Sequence, residues 1–308
     1  MSLALLCPGQ GGQHPAMFAR VQGDAAAEPI LRYAAGVLHE APEALAAGPA
    51  RFDNAIAQPL VCAATLATWA ALRARLPSPG LVLGYSVGEL AAHGVAGSMT
   101  PQVCLSLSKA RAACMDAASP ADGGLLAVIG LSRRRIERLC EACAVAVAIV
   151  NGEDHFVLGG REAGLQAVQR EAEALGARTL RLPVHVPAHT PWLAQAADAF
   201  AGTLQEAAVR APALDVLAGI DGHRIASRED VVRSLSRQLA QPVDWHGVMA
   251  QAIERGARVL LEIGPGSALA RMARQTHPEC EARAVEEFQT LEGVVDWVVS
   301  ALERQAMH

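Results

Sequence analysis

The chain has 308 residues and a formal net charge of −5, with 26 basic against 31 acidic side chains. That balance disfavours a nucleic-acid binder, which needs a basic face, and the length suits one large α/β domain, alone or with a smaller insertion. Hydrophobic residues make up 52% but aromatics only 4%, so Ala, Val and Leu must build the core, as in many short helices packed on a sheet. No apolar run of about 18 residues stands out, so no membrane span is expected.

Taken in chain order, Ala4–Cys7 reads as a buried strand rather than a signal peptide, because no basic segment precedes it. It runs into the turn Pro8-Gly9-Gln10-Gly11-Gly12-Gln13. That turn lacks the Lys-Ser/Thr of a P-loop and does not match G-x-G-x-x-G. An Ala-rich helical region follows to about Ala47, where Gly48-Pro49 stops it. Gln58 to Leu76 reads as a long buried helix, Leu81–Leu83 as a strand, and Gln102 to Ala118 as a helix capped by Thr100-Pro101. From Gly123 the pattern changes. A strand at Leu125–Ile129 is followed by a helix from Ser132, its expected N-cap, to Ala142. A hairpin of 145–151 and 155–159 comes next, then a helix from Arg161 to Leu175, then a strand at Arg178–Leu182. The order βαββαβ is the ferredoxin-like pattern. The expected architecture is therefore α/β: a large doubly wound, α/β-hydrolase-like domain (1–122 and 190–308) with an inserted ferredoxin-like subdomain (123–189). Beyond Pro191 the chain returns to helix. A strand is expected at Leu214–Ile220, helices at Arg228–Ala240 and Trp245–Arg255, and a buried strand at Val259–Ile263. That last strand ends in Gly264-Pro265-Gly266, with a helix from Ser267. The glycine turns at Gly9, Gly84 and Gly264 all follow strands, where a doubly wound sheet places its site.

The strongest chemical signal is Gly84-Tyr85-Ser86-Val87-Gly88-Glu89, set between a strand and a small-residue helix. This is the layout of a nucleophile elbow, which presents a serine hydroxyl above a sheet beside a helix N-terminus. It points to acyl chemistry. A serine needs a base, and the best histidine is His189, where the small subdomain rejoins the large one; His185 is second. His14 and His93 read as structural, His277 lies in a charged loop and His308 is terminal. The Val87 N–H is placed for an oxyanion, and a second donor could come from the turn at Gln10. Arg111 sits in a helix of small residues. It could hold a carboxylate through two parallel hydrogen bonds, or pair on the surface with Asp116 or Glu89. The seven cysteines are odd in number, lack disulfide-like spacing and sit mostly in apolar stretches (Cys7, Cys62, Cys104, Cys114), the usage of a cytoplasmic protein. Cys140 and Cys143 form C-x-x-C, but only His277 and Cys280 resemble a second ligand pair, so a helix-core role is expected and no metal site.

Together these residues resemble the malonyl-CoA:acyl-carrier-protein transacylases of fatty-acid and polyketide synthesis. Pro8-Gly9-Gln10-Gly11-x-Gln13 is similar to that family's PGQGxQ, and the elbow to its GHSxGE. Arg111 with Met115 is similar to its RxxxM helix, and Val186-Pro187-Ala188-His189 to its VPSH. Gln238-Leu239, Pro242-Val243-x-Trp245 and Gly264-Pro265-Gly266 are similar to its C-terminal pattern. The resemblance implies a malonyl-enzyme on Ser86, with His189 as base, oriented by the backbone carbonyl of Gln238. It implies that Arg111 holds the malonyl carboxylate and that the Gln10 and Val87 N–H groups form the oxyanion hole. Malonyl-CoA would be the donor, and the phosphopantetheine-type arm of a carrier the acceptor, with no permanently bound cofactor. Two positions depart from the pattern: Tyr85 replaces histidine and Ala188 replaces serine. The GYSxGE elbow resembles the transacylase (epsilon) subunit of malonate decarboxylase, so that system's carrier subunit is the expected acceptor. A malonyl transacylase of fatty-acid or polyketide synthesis, a serine thioesterase or acyl hydrolase of the same fold, and a non-catalytic scaffold are the alternatives. An acidic carrier would need a basic patch on this acidic chain; Arg133, Arg134, Arg135 and Arg138 could supply one, or form a solvated helix face.

Overall fold

The computed structural model describes residues 2–307; His308 lies outside them. In chain order the strands are β1 (Ser2–Cys7), β2 (Leu81–Gly84), β3 (Gly123–Ile129), β4 (Ala146–Val150), β5 (His155–Arg161), β6 (Arg178–Arg181), β7 (Asp215–Leu217), β8 (Ala257–Glu262) and β9 (Glu281–Ala284). The helices are α1 (Glu28–Leu38), α2 (Pro42–Ala47), α3 (Asn54–Leu72), α4 (Val87–Val95), α5 (Pro101–Ala118), α6 (Arg133–Cys143), α7 (Glu162–Ala174), α8 (Ala194–Glu206), α9 (Arg228–Arg237), α10 (Trp245–Glu254), α11 (Ala268–Thr276) and α12 (Leu291–Ala306).

Two sheets result. The larger is parallel, in the order β7-β2-β1-β8-β9. Its central strand β1 is an unbroken apolar run, Leu3 to Cys7, buried on both faces, as a parallel strand covered by helices must be. The smaller is antiparallel, in the order β4-β5-β3-β6, with α6 and α7 in its connections. That order and connectivity are ferredoxin-like. The alternation of its strands divides two cores. Leu126 and Val128 of β3, with Phe156 and Leu158 of β5, pack with Ile136, Leu165 and Val168 of α6 and α7. Leu125, Ala127 and Val157 point the other way, into the main core. Both faces of the small sheet are thus buried, which is why β3 shows no polar alternation. A backbone bridge joins the two parts: Val150 N–H donates to the Val243 carbonyl and Val243 N–H to that of Ala148, both at 2.9 Å.

The structure corrects several sequence expectations. The third helix begins at Asn54, not Gln58, with Pro59 inside it. Proline is favoured at a helix start, but here one extra turn precedes it and only one backbone bond is lost. This helix is also long and apolar enough to cross a membrane, contrary to expectation, but 78% of its apolar window is buried within the fold. Ser132 precedes α6 in extended conformation, yet its hydroxyl makes no capping bond. The edge strand β9 and the helix α12 were not anticipated.

Candidate active site

Three turns meet at the carboxyl ends of β1, β2 and β8. The Tyr85 N–H donates to the Cys7 carbonyl at 3.0 Å, extending the β1–β2 ladder into the elbow. Ser86 then turns at φ 57°, ψ −123°, a conformation strained for any residue with a Cβ. The flanking glycines are required by close approach rather than by φ. A Cβ on Gly84 would overlap the Glu89 backbone, and one on Gly88 the carbonyl oxygens of Cys7 and Pro8. The Pro8–Gln13 turn lies against the elbow, with the Cβ position of Gly9 3.3 Å from Ser86 Cβ, and Gly264 against Pro8. Among the described residues, no backbone carbonyl accepts from the N–H of Gln10 or of Val87, the first residue of α4.

His189 completes the pair that the sequence suggests. Its Nε2 lies 2.8 Å from Ser86 Oγ, and its Nδ1 lies 2.6 Å from the Gln238 carbonyl oxygen. A carbonyl only accepts, so Nδ1 carries the proton and Nε2 is left to accept from the serine hydroxyl. His189 is held at φ 63°, with its N–H bound to the Leu239 carbonyl at 2.8 Å. Burial first, and then the charge of Arg111, lower its pKa to about 3, so the resting imidazole is neutral. His185 is exposed four residues away. His14 contacts Glu286 at 2.6 Å, and His93 contacts Ser98 at 3.0 Å inside the core. His277 closes α11 and lies 3.5 Å from Glu279.

Arg111 projects from α5 into the interior and is only 1% exposed. One of its NH groups donates to Gln58 Oε1 at 2.8 Å and touches Met115 Sδ at 3.3 Å; the other donates to Gln238 Oε1 at 3.1 Å. Both oxygen partners are neutral amides. Among the described residues no carboxylate reaches ion-pair distance of it: Asp116 accepts from Asn54 at 2.8 Å instead, and Glu89 is reached only through Gln238. Surface pairing of Arg111 with either acid is therefore ruled out. Burial lowers its pKa to about 10, which still leaves it charged near neutrality. A buried cation held by two amides, on the network that fixes the imidazole beside Ser86, is suited to hold an anionic group.

Two residues of this network were not singled out from the sequence. The sequence marks Gln58 only as a helix start, and Glu89 only as the last residue of the elbow motif and a possible surface partner of Arg111. Glu89 is wholly buried and accepts from Ser234 Oγ, from Gln238 Nε2 and, at 3.0 Å, from the Gly219 N–H. Burial nonetheless pushes its pKa up to about 7. Tyr85 lies edge-on to Trp245, ring centroids 5.4 Å apart. The arginines of α6 are exposed, Arg133 stacking over Phe156, and Cys140 of the C-x-x-C pair packs into the small core.

The chain matches the acyl transferase domain family over residues 5–297. It is 31% identical over 290 residues to the malonyl CoA-acyl carrier protein transacylase of Mycobacterium bovis, covering 92% of this chain and 96% of that one. With the enzyme of the same name from Haemophilus influenzae the identity is 29% over 315 residues, covering 96% and 99%. The structure superposes on the malonyl CoA-acyl carrier protein transacylase of Coxiella burnetii with a TM-score of 0.91, at 28% identity and over 98% of each chain. It superposes equally well on a malonyl-transacylase solved in complex with its type II PKS acyl-carrier protein: TM-score 0.90, 29% identity, 96% and 99% covered. Since these matches run through both sheets and nearly end to end, the chain belongs to the malonyl CoA-acyl carrier protein transacylase family of acyl transferase domains.

Proposed function

We propose that this protein moves a malonyl group from malonyl-CoA to the thiol of an acyl carrier protein through an ester on Ser86. The observation that carries this reading is Arg111, a buried guanidinium with no acidic partner among the described residues, joined through Gln238 to the Ser86–His189 pair. In the first half-reaction Ser86 Oγ attacks the thioester carbon and its proton passes to His189 Nε2. The carbonyl oxygen becomes an oxyanion facing the N–H groups of Val87 and Gln10, each worth a few kcal/mol in the transition state. The C–S bond then breaks, and the CoA sulfur leaves with the proton from His189. In the second half, His189 takes the proton of the carrier thiol, the sulfur attacks the seryl ester, and Ser86 regains its proton. A backbone carbonyl, not a carboxylate, steadies the imidazole throughout, keeping the tautomer without adding a negative charge. The scheme calls for no metal or resident cofactor.

The division of labour we infer gives the nucleophile, the cation and both N–H donors to the large unit (1–122 and 190–308). The ferredoxin-like unit (123–189) carries His189 at its exit. Tyr85 in the GYSxGE elbow is the one sequence feature that favours the carrier subunit of malonate decarboxylase as acceptor, whereas the named relatives act on acyl carrier protein. All seven cysteines are free thiols, five of them buried, which supports a cytoplasmic setting.

Incubation with labelled malonyl-CoA tests the reading. A covalent label on Ser86, absent from Ser86→Ala and discharged onto a carrier thiol, is the expected result. Offering holo-acyl carrier protein and the decarboxylase carrier side by side identifies the acceptor. Rapid release of free malonate with no transfer would instead make the protein a hydrolase.

A further inference from the structure

The Glu89 N–H donates to the Ser86 carbonyl at 3.0 Å, but its carboxyl group makes no hydrogen bond to Ser86, His189 or Arg111. It nevertheless ties together the residue on which two of those groups depend. Gln238 has three bonds of consequence: its main-chain oxygen accepts from His189 Nδ1, its side-chain Oε1 accepts from Arg111, and its Nε2 donates to Glu89 Oε2. An amide can point either way, and its neighbours decide which. Reversed, it would aim an NH₂ group at the guanidinium and an oxygen at the carboxyl group, losing both bonds. The donor at Arg111 and the acceptor at Glu89 therefore select the same orientation, and Glu89 is what holds the amide in it from the side away from the guanidinium.

Glu89 is itself held on three sides, by Ser234 of α9, by the Gly219 N–H and by Gln238. The space for this contact exists because residue 219 is glycine. A Cβ there would sit 2.6 Å from Glu89 Oε2 and 3.3 Å from Gln238 Nε2, on the bond itself.

We propose that Glu89 is a positioning residue: by orienting the Gln238 amide it sets the carboxylate clamp at Arg111 and braces the carbonyl that holds His189. The proposal rests on the malonyl-transfer reading. It identifies the elbow's final glutamate as a determinant of selectivity for carboxylated acyl groups, and not only a tie between α4 and α9. Acceptance of a hydrogen bond is what the role requires, so an amide oxygen at position 89 can serve.

The test is the ratio of kcat/KM for malonyl-CoA to that for acetyl-CoA, measured on the full chain. Glu89→Leu lowers this ratio about tenfold, the size expected for loss of one coupling inside a shared network. Glu89→Gln restores it. In a Gln238→Met background Glu89→Leu lowers it no further, because the intermediary is gone. If Glu89→Leu does not fold, Gly219→Ala replaces it: the methyl wedges the same bond apart and the ratio falls in the same direction. A wild-type ratio in Glu89→Leu or in Gly219→Ala overturns the proposal, as does an additive further loss in the double variant. Failure of the underlying reading looks different: wild-type protein would then show no malonyl preference, and Arg111→Ala would not alter the ratio.

Discussion

Removing Arg111 tests the site most directly. The guanidinium is 1% exposed and is held by Gln58 Oε1 at 2.8 Å and Gln238 Oε1 at 3.1 Å, with no carboxylate in reach among the described residues. A malonyl carboxylate docking there gains two charge-assisted hydrogen bonds, each worth about 1.5 kcal/mol at the low end of their range, or about 3 kcal/mol together. At 1.36 kcal/mol per factor of ten, this is about 150-fold in kcat/KM. Arg111→Ala is therefore expected to lower malonyl transfer by about two orders of magnitude. Acetyl transfer should fall by less than about tenfold, because acetyl has nothing to place against the cation. Losing the charge also relieves His189, whose pKa is lowered first by burial and then by Arg111. The acid limb of the acetyl-transfer profile should therefore move to higher pH. Initial rates with both thioesters, on protein shown by thermal melting to be folded, provide the comparison. Equal losses for the two donors would return Arg111 to a packing role and remove the main support for a carboxylated substrate.

The backbone strain at Ser86, φ 57° and ψ −123°, predicts that Ser86→Gly is more stable than Ser86→Ala by about 1 kcal/mol, since both lack the nucleophile but only glycine relaxes; urea midpoints showing the reverse order would refute it. Buried groups set the pH dependence of stability. His93 and His189, lowered to about 3 by burial, stay neutral in the fold but gain a proton near 6.5 once unfolded, so they destabilise as pH falls. Glu89 and Glu262, raised to about 7 by burial, bind a proton in the fold before they do unfolded, near 4.5, so they stabilise as pH falls. Between pH 6.5 and 4.5 these two pairs oppose each other, and His155, also lowered by burial, tips the profile into a shallow decline. Below that His93 and His189 act at about 1.4 kcal/mol per pH unit each, and carboxylates held low in the fold, such as Asp230 and Glu287, add to the loss. A decline from pH 6.5 as steep as two unopposed histidines in urea titrations would contradict this assignment. Finally, Arg134 and Arg138 on the exposed face of α6 should serve an acidic carrier by charge steering. Reversing both to Glu should slow transfer to carrier several-fold at low salt and leave self-malonylation unchanged, whereas equal effects on the two steps would exclude a docking role.

The site was legible in the sequence wherever local backbone geometry demands particular residues. Gly84 and Gly88 mark the elbow because a Cβ at either would overlap neighbouring backbone, a constraint that appears in the chain as a spaced pair. Arg111 was conspicuous because it is a cation set among alanines. Its real partners, Gln58 and Gln238, lie 53 and 127 residues away, and no periodicity reports so distant a meeting. Glu89 escaped for the same reason: an acid in the first turn of a helix has a sufficient local explanation in the helix dipole, and only the tertiary fold reveals that it is buried. The C-terminal part was under-read differently. Leu291, Val294, Val298 and Ala301 are the buried stripe of α12, and Thr290 caps it with a 3.1 Å bond to the Gly293 N–H. A helical period and a cap were therefore present in plain view. The four-residue strand β9, Glu-Ala-Arg-Ala, carries no such signal; an edge position tolerates its charges.

The bridge between Val243 and β4 has a consequence for protein engineering. In sequence the small unit looks like a cassette bounded near 123 and 189, to be cut out and exchanged between relatives. In space its outer strand is hydrogen-bonded to Val243, five residues after the carbonyl that holds the His189 ring. A chimera that takes only the cassette would have to re-form this ladder with a foreign partner, and any slip in register would be transmitted to His189. Exchanges that carry the 238–243 segment along with the cassette should keep the histidine in register; those that leave it behind should yield folded proteins with a misaligned nucleophile pair.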